Sequence, residues 1–214
     1  MPAILTVDDS RAVRTIVGKQ VKELGFEVLE AEDGIRVVVL SSAGRSFSSG
    51  ADLNWMRRVA SASQEENKRD AMALAALMRT LAELRKPTIA RVQGPAYGGG
   101  VGLVACCDIA VATLAATFRL SEAKLGLIPS VISPYVVAAI GQRAARRYFL
   151  TGEPIDASDA WRLGLVHEIA KDDDDLDEKV GQIVDALLAC GPVAQAESKA
   201  LIRTVAGRAV TSEL

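Results

Sequence analysis

The sequence predicts an α/β fold that continues into a mainly helical carboxyl-terminal part, and three observations support this prediction. Short apolar runs rich in β-branched residues, at residues 35–40 and 88–92, are typical of buried strands. Residues 65–84 carry apolar side chains at helical spacing. From Ser133 onward, helical periodicity dominates. Short strands that alternate with helices indicate an α/β domain.

The first forty residues predict the order strand, helix, strand, turn and strand. Apolar residues 4–7 predict a strand, and the spacing over residues 11–24 predicts a helix that ends at Gly25. Residues 26–32 alternate apolar and polar side chains, as in a strand, and Asp33-Gly34 is a turn signal before the strand at residues 35–40.

The middle of the chain predicts the central α/β unit. A loop over residues 41–50 leads to helices over residues 51–59 and 65–84, and Lys86-Pro87 stops the second helix. The remaining predicted elements are a strand at residues 88–92, a glycine-rich loop at 94–100, a helix at 101–107 and a strand at 109–112.

The last third of the chain predicts helices at residues 134–141, 143–151, 158–164, 176–189 and 193–205. The acidic run at residues 172–175 is interpreted as a solvated loop or the first turn of a helix. Residues 211–213 have the pattern of a further helix start, so we expect that the helical part is truncated.

Composition restricts the possible functions. Of the 214 residues, 50% are hydrophobic and 24% are charged, as in a folded globular protein. Apolar runs fall well short of the roughly 20 residues of a membrane span, and the amino terminus lacks the pattern of a secretory signal. We therefore expect a cytoplasmic protein without membrane contact. The net charge of −2, with scattered basic residues, predicts no nucleic-acid binding.

Cysteine and histidine usage argues against a metal site. His167 is the only histidine, and no Cys-x-x-Cys pair is present. Cys106, Cys107 and Cys190 lie in apolar sequence, so we expect buried free thiols rather than disulfides.

A glycine triplet is the first candidate site. Gly98-Gly99-Gly100 precedes a predicted helix, whose free N–H groups and positive dipole end suit an anion or a developing oxyanion. The alternative is structural, because three glycines also allow a turn to pack tightly under a neighbouring helix. Gly50-Ala51 has the same two interpretations.

Glu122 is the second candidate. It lies between Leu120 and the apolar stretch at residues 125–128, where burial would raise the pKa of its carboxyl group and suit it to general acid work. The alternative is an exposed glutamate at the start of a helix.

The order of these motifs resembles that of the crotonase superfamily, from Ile35 to the carboxyl terminus. The matching segments are residues 44–53 (GRSFSSGADL), 87–90 (PTIA), the glycines at 94 and 98–100, 107–110 (CDIA), 121–129 (SEAKLGLIP), 150–153 (LTGE) and 164–166 (GLV). The resemblance implies a crotonase-like fold built from ββα repeats, and an activity of the enoyl-CoA hydratase type.

The resemblance also implies residue roles. The N–H groups of Ala51 and Gly99 would form an oxyanion hole for a thioester carbonyl, and Glu122 would be the general acid and base. No cofactor is implied other than the coenzyme A that is part of the acyl-CoA thioester substrate. The implied substrate-binding and CoA-binding residues are Ser49, Gly50, Asp52, Leu53, Asn54, Tyr97 and Gly98.

Two departures from the family pattern fall near this site. Many hydratases of the superfamily have a second glutamate three residues after the middle glycine of the triplet, where this chain has Gly102. Residues 130–135 (SVISPY) replace a segment that is commonly rich in glycine. Both departures resemble the methylglutaconyl-CoA hydratase branch, which becomes the preferred substrate class.

Residues 1–34 resemble a different family, the receiver domains of response regulators. Receivers hold magnesium with an acidic pair, here Asp8 and Asp9, but their phosphorylated third-strand aspartate and downstream lysine have no counterpart. Asp8 and Asp9 are therefore expected to end a strand and cap a helix. The division predicted is a receiver-like segment (1–34), a crotonase-like core (35–155) and a truncated helical part (156–214).

Three functions remain as hypotheses. The chain is a working enoyl-CoA hydratase or dehydratase, a chimeric scaffold with little or no activity, or a phosphorelay module. A homo-oligomer is also predicted, because residues 193–205 present an apolar face. That face consists of Val193, Ala196, Ala200, Leu201 and Val205.

Overall fold

The computed structural model describes residues 3–6, 27–30, 35–50 and 61–207. The strands in these ranges are β1 (Ala3–Thr6), β2 (Glu27–Glu30), β3 (Val38–Leu40), β4 (Thr88–Val92), β5 (Ala96–Tyr97), β6 (Ile109–Thr113), β7 (Thr117–Arg119), β8 (Pro154–Asp156) and β9 (Glu168–Ala170). The α-helices are α1 (Gln64–Glu83), α2 (Gly99–Cys106), α3 (Ser133–Thr151), α4 (Ala157–Leu163), α5 (Asp173–Leu188) and α6 (Pro192–Val205). A short 3₁₀ helix spans Glu122–Leu125.

The main sheet is parallel and has the strand order β3-β4-β6-β9. Its central strands are buried, and Ile89, Ala90 and Val111 have no exposed surface (0%). Continuous apolar runs are what a parallel sheet covered on both faces requires. The strand predicted at residues 35–40 is shorter than expected, because only Val38–Leu40 pairs with β4.

A second, smaller sheet has the strand order β5-β7-β8, and its strand β5 directly precedes the glycine triplet. β5 and β7 are parallel, whereas β7 and β8 are antiparallel. Strands β4 and β5 are followed by α2, and strands β6 and β7 are followed by the 3₁₀ helix and α3. This is the strand-strand-helix repeat implied by the sequence resemblance. The short strands β7, β8 and β9 were not predicted.

The two amino-terminal strands pair in parallel, from Ala3 with Glu27 to Thr6 with Glu30. β1 also lies against β3. The helices predicted at residues 11–24 and 51–59 lie outside the described residues, as do Asp8 and Asp9. The three-part division of the chain stays a prediction.

Helix α1 begins at a capping box. Ser63 Oγ accepts a hydrogen bond from the N–H of Glu66 at 3.3 Å, and Glu66 Oε2 accepts one from the N–H of Ser63 at 2.8 Å. These reciprocal bonds satisfy two N–H groups that a helix start otherwise leaves unpaired. The apolar face of α1 places Leu77 and Met78 in the core.

Helix α3 is broken at Gly141, where two helices were predicted. Gly141 has φ 74° and ψ 160°, a combination that is open to glycine and strained for other residues. α3 contacts α2, α4 and the 3₁₀ helix. The break therefore allows one helical segment to pack against several neighbours.

Helix α6 is tied to the main sheet through a partly buried charge cluster. Asp108 Oδ2 accepts hydrogen bonds from the N–H of Thr88 at 2.7 Å, from Thr88 Oγ1 at 2.8 Å and from Lys199 Nζ at 2.5 Å. Lys199 Nζ also donates to the carbonyl of Lys86 at 3.0 Å. The cluster connects α6 to the start of β4 and to Asp108, the residue directly before β6.

The structure shows the burial of the three cysteines and of the apolar face of α6. Cys106 and Cys107 are buried free thiols as predicted, but Cys190 is exposed because it follows the end of α5 at the surface. On α6, Ala196 packs into the core, whereas Val193, Leu201 and Val205 remain 68%, 60% and 41% exposed. Among the described helices, none is both long enough and apolar enough to cross a membrane.

Candidate active site

The candidate site lies where strands β3 and β4 end, at the same edge of the parallel sheet. The chain after β3 returns alongside the chain after β4, and Ser48 forms a bridge with Ala96. The N–H of Tyr97 donates to the carbonyl of Ser48 at 2.9 Å, and the N–H of Ser48 donates to the carbonyl of Pro95 at 3.0 Å. This is the edge at which open parallel sheets bind ligands.

Gly50 lies directly against Tyr97. A Cβ added to Gly50 would be 3.6 Å from Tyr97 Cβ, and Gly50 has a φ of +89°, which favours glycine. The structure thus brings Gly50 next to Tyr97, and the binding roles of Ser49, Gly50, Tyr97 and Gly98 stay predictions. Ala51, Asp52, Leu53 and Asn54 lie outside the described residues, so their assigned roles stay predictions.

Gly98 is the contact between the glycine triplet and Glu122. Its N–H donates to the carbonyl of Arg119 at 2.8 Å, which fixes the turn against β7. A Cβ added to Gly98 would lie 3.4 Å from Glu122 Oε1. The carboxyl group of Glu122 therefore lies over the start of α2, and the two candidate motifs form one site.

The glycine-rich loop predicted at residues 94–100 is not a loop throughout, because Ala96–Tyr97 forms β5 and α2 already begins at Gly99. The first N–H groups of a helix have no intrahelical acceptor and carry partial positive charge. A Cβ added to Gly99 would meet nothing within 4 Å, whereas one added to Gly100 would be 2.5 Å from Ser48 Cβ. The helix start thus faces open space at Gly99 and packs against Ser48 at Gly100.

Glu122 has the properties expected of an acid or base in an apolar setting. It starts the 3₁₀ helix and is half-buried, and its Oε2 is buried without a hydrogen-bond partner among the described residues. Burial raises the pKa of this carboxyl group and outweighs the opposing effect of a hydrogen bond from its own backbone N–H. Glu122 thus lies at the start of a helix, as the alternative had it, but it is half-buried rather than exposed, and the direction of its pKa agrees with the prediction.

Gly102 lies at the position of the second glutamate in many hydratases, and its surroundings have no room for a side chain. A Cβ there would overlap Ile132 Cγ2 and would lie 2.8 Å from Ile132 Cβ and 3.2 Å from Met78 Cε. Ile132 belongs to the 130–135 segment, so the two sequence departures are neighbours in space. Sequence reasoning noted each departure but missed this contact.

Other reactive groups have structural roles. In the ranges that the structure describes, no group of three or more His, Cys, Asp or Glu residues is placed to hold a metal ion. His167 Nδ1 accepts a hydrogen bond from the N–H of Ala110 at 3.0 Å. Burial, followed by the charge of Asp108, raises the pKa of Cys107 to about 12, which leaves this thiol protonated and unreactive.

The site can therefore hold a carbonyl and move a proton beside it. N–H groups at the start of α2 suit the oxygen of a carbonyl that gains negative charge, since such donors are fixed before charge develops. Glu122 Oε2 is the one carboxylate oxygen among the buried, unpartnered polar side-chain atoms of the described residues. The other oxygen of this carboxyl group, Oε1, is the one next to Gly98, so the group suits the removal or delivery of a proton on a carbon atom bound there.

Comparison with known proteins agrees with this geometry. The model of the enoyl-CoA hydratase/isomerase family matches residues 3–212. An enoyl-CoA hydratase structure from Shewanella pealeana shares 40% sequence identity and a TM-score of 0.84, over 100% of this chain and 80% of that one. An enoyl-CoA hydratase/isomerase structure from Legionella pneumophila shares 41% identity and a TM-score of 0.82, over 97% and 77% of the two chains.

Relatives known from sequence agree as well. An enoyl-CoA hydratase of Alternaria alternata is 35% identical over 182 residues, which are 83% of this chain and 58% of that protein. The match thus spans less than two thirds of that relative. The predicted crotonase-like α/β fold is confirmed by these matches. The family model also covers the receiver-like segment from residue 3, and the chimeric origin of that segment stays a prediction.

Proposed function

The chain belongs to the enoyl-CoA hydratase/isomerase family, and from that premise we propose that it binds acyl-CoA thioesters and catalyses enoyl-CoA hydration and dehydration. Enzymes of the enoyl-CoA hydratase type need no cofactor beyond the coenzyme A of the substrate. The observation that carries the proposal is the position of Glu122, with an unpartnered buried oxygen, beside Gly98 at the start of α2.

The thioester carbonyl would accept hydrogen bonds from the N–H groups of Gly99 and Ala51. The first-turn position of Gly99 supports its role, and the Ala51 role is carried by the family resemblance. Ser49, Gly50, Tyr97 and Gly98 would border the bound thioester, together with Asp52, Leu53 and Asn54. Two fixed donors would stabilise the enolate, which forms when water adds to C3 in hydration or when the α-carbon loses a proton in dehydration.

Glu122 would perform both proton transfers of hydration. The oxygen of a water molecule bonds to C3 of the 2-enoyl thioester while the Glu122 carboxylate takes a proton from that water. The electrons of the C2=C3 bond move to the carbonyl oxygen as an enolate, and Glu122 returns its proton to C2. The carboxylate is regenerated, and dehydration is the reverse sequence. A raised pKa brings a carboxyl group closer to neutral pH, where it can act in both directions.

Within 2-enoyl thioesters, we propose a methylglutaconyl-CoA-like substrate. The support is the pair of departures at Gly102 and at residues 130–135, which the structure joins through the contact with Ile132. Crotonyl-CoA, which is unbranched and lacks the second carboxyl group, is the comparison substrate. A lower KM for methylglutaconyl-CoA would support this assignment, and a lower KM for crotonyl-CoA would contradict it.

The test of the reaction uses the purified chain and follows the loss of the conjugated thioester absorbance. Glu122→Gln keeps the size of the side chain and removes its titrating group, so hydration should fall by roughly 10²-fold or more. Glu153→Gln is the matched control, because Glu153 pairs with Arg147 on the surface. Full activity in Glu122→Gln would refute the assignment, and an inactive parent protein would favour the alternative of a scaffold with little or no activity.

A second candidate reaction is migration of the double bond of a 3-enoyl thioester to the 2-position. The closed space beside Gly102 favours it, because this reaction needs one acid or base and no bound water. It is measured as a gain of the same conjugated absorbance. No observation in the described residues favours phosphorelay function.

A further inference from the structure

We propose that Arg119 is a positioning residue for Glu122, because its side chain ties the segment that carries Glu122 to the turn at Gly152. This inference rests on the proposed function, since it concerns the same proton transfers at the same thioester. It also gives a role to the LTGE segment at residues 150–153, which has no part in the proposed mechanism.

The main chain of Arg119 joins the glycine triplet to the Glu122 segment. Arg119 pairs with Tyr97 across β5 and β7, and its carbonyl accepts a hydrogen bond from the N–H of Gly98 at 2.8 Å. Three residues later the chain reaches Glu122, whose Oε1 would lie 3.4 Å from a Cβ added to Gly98. Gly98 and Glu122 are therefore held by the same short piece of backbone.

The side chain of Arg119 extends this connection to the end of α3. Its Nε donates a hydrogen bond to the carbonyl of Gly152 at 2.9 Å. Gly152 is buried, and its own N–H donates to the carbonyl of Tyr148 at 3.0 Å, which closes the last turn of α3. Because the carbonyl of a buried residue needs a donor, Arg119 and the turn at Gly152 stabilise each other.

The turn at Gly152 also packs directly against the Glu122 segment. Gly152 has a φ of +57°, and a Cβ added there would lie 3.1 Å from Lys124 Cε and 3.3 Å from the carbonyl oxygen of Leu120. Leu120 and Lys124 lie two residues before and two residues after Glu122. The segment is therefore in contact with the turn on both sides of the proposed acid and base.

The proton transfers depend on where this segment lies. A displacement of about 1 Å in a catalytic site can lower a rate by about 100-fold. The hydrogen bond from Gly98 uses the main chain of residue 119, so it remains when the side chain is replaced. Loss of the side-chain bond to Gly152 should thus displace Glu122 and leave the glycine triplet in place. The expected result is a lower kcat for hydration with little change in KM.

The first test replaces Arg119 by two neutral side chains of equal length. Arg119→Gln keeps an N–H donor at the position of Nε, whereas Arg119→Met places a methyl group there. Hydration of a 2-enoyl-CoA should lose about 10-fold or more in kcat in Arg119→Met, and Arg119→Gln should restore most of it. Ile155→Val is the stability control, since it removes one buried CH₂ group from the neighbouring strand β8. It should lower the melting temperature and leave kcat unchanged.

The second test compares two glycines at helix ends. Gly152 and Gly164 have φ values of +57° and +86°, so alanine at either position should lower the melting temperature. The Cβ of Gly152→Ala would press on the Glu122 segment, whereas that of Gly164→Ala would lie 3.1 Å from the carbonyl oxygen of Ala139 in α3. Only Gly152→Ala should lower kcat. This pair gives the answer if Arg119→Met does not fold.

Three results would overturn the role of Arg119 while the proposed function stands. They are full kcat in Arg119→Met, equal losses of kcat in Arg119→Met and Arg119→Gln, and equal losses of kcat in the two glycine variants. A rise in KM without a fall in kcat would count against it in the same way. A folded parent protein that does not hydrate 2-enoyl-CoA would overturn the proposed function and this inference together. Measurements on the parent protein therefore distinguish the two failures.

Discussion

Asp108→Asn is expected to destabilise the fold by loosening α6 from the main sheet. Asp108 Oδ2 accepts three hydrogen bonds, two from Thr88 and one from Lys199. Hydrogen bonds to a charged group contribute about 1.5–3 kcal/mol, and those between neutral groups about 0.5–1.5 kcal/mol. Replacing the carboxylate by a neutral amide therefore costs about 1 kcal/mol for each bond, or about 3 kcal/mol in all.

Solvent access lowers this figure slightly. The side chains of Lys199 and Asp108 are 12% and 29% exposed, so the pair is not fully removed from water. Breaking a buried ion pair costs about 3–5 kcal/mol, and this site belongs at the low end or just below it. An expected loss of about 2–3 kcal/mol corresponds to a fall of about 4–12 °C in melting temperature for a chain of this size.

The assay is urea and thermal unfolding of Asp108→Asn beside a matched exposed pair. Glu197 lies on α6 like Lys199 and pairs with Arg85, and the two side chains are 66% and 64% exposed. Glu197→Gln breaks this exposed ion pair and should cost less than about 1 kcal/mol. In the double variant D108N/K199M no unpaired charge remains, so its loss should be smaller than the sum of the single losses. An Asp108→Asn loss no larger than that of Glu197→Gln would refute the reasoning.

Three further predictions follow from other parts of the structure. The pKa of Glu122 is raised in the folded state, so its contribution to stability is present below the unfolded value of about 4.3 and is lost as pH rises through the folded pKa. At constant ionic strength, the urea midpoint of the parent should therefore fall more between pH 4 and 8 than that of Glu122→Gln. Equal falls of the two midpoints over this pH range would contradict the prediction. Gly141→Ala should destabilise the fold by about 1–3 kcal/mol because of the backbone angles of Gly141. Gly181→Ala adds a Cβ in open space on α5 and should stabilise the fold by about 0.5–1 kcal/mol. Similar melting temperatures for the two variants would contradict this prediction. Light scattering coupled to size exclusion should show a homo-oligomer, because α6 leaves Val193 and Leu201 exposed; a monomer at micromolar concentration would be the contrary result.

The sequence predicted helices better than short strands, for a physical reason. Helix α1 has a capping box at Ser63 and a continuous apolar face, so its bounds follow from local interactions. Strands β7 and β8 have three residues each and exist because they pair with one another across the fold. Three residues are too few to show a period of two, and the partner is remote in sequence, so no local signal identifies them.

The sequence identified the residues of the candidate site but not the packing contacts around them. Motif order identified both the glycine triplet and Glu122 as candidates, and the structure places Gly98 beside Glu122 because each motif lies at an end of a strand or helix. The contact of Ile132 with Gly102 was missed because it joins two separate helices through side-chain packing. A buried glycine in an apolar helix, together with an unusual segment elsewhere, was the only available signal. Such a signal does not specify which side chain fills the space.

The parallel pairing of the main sheet also determines how the chain must assemble. Paired residues of β4 and β6 are separated by 20 positions, from Ile89 to Ile109, whereas Val111 of β6 pairs with Glu168 of β9, 57 positions away. Closing the longer loop costs about 1 kcal/mol more in chain entropy. The unit of β4, β5, α2 and β6 is therefore the most local part of the sheet, and the folding nucleus is expected there rather than at β9. The segment that carries the glycine triplet is then also the one on which the rest of the sheet is assembled.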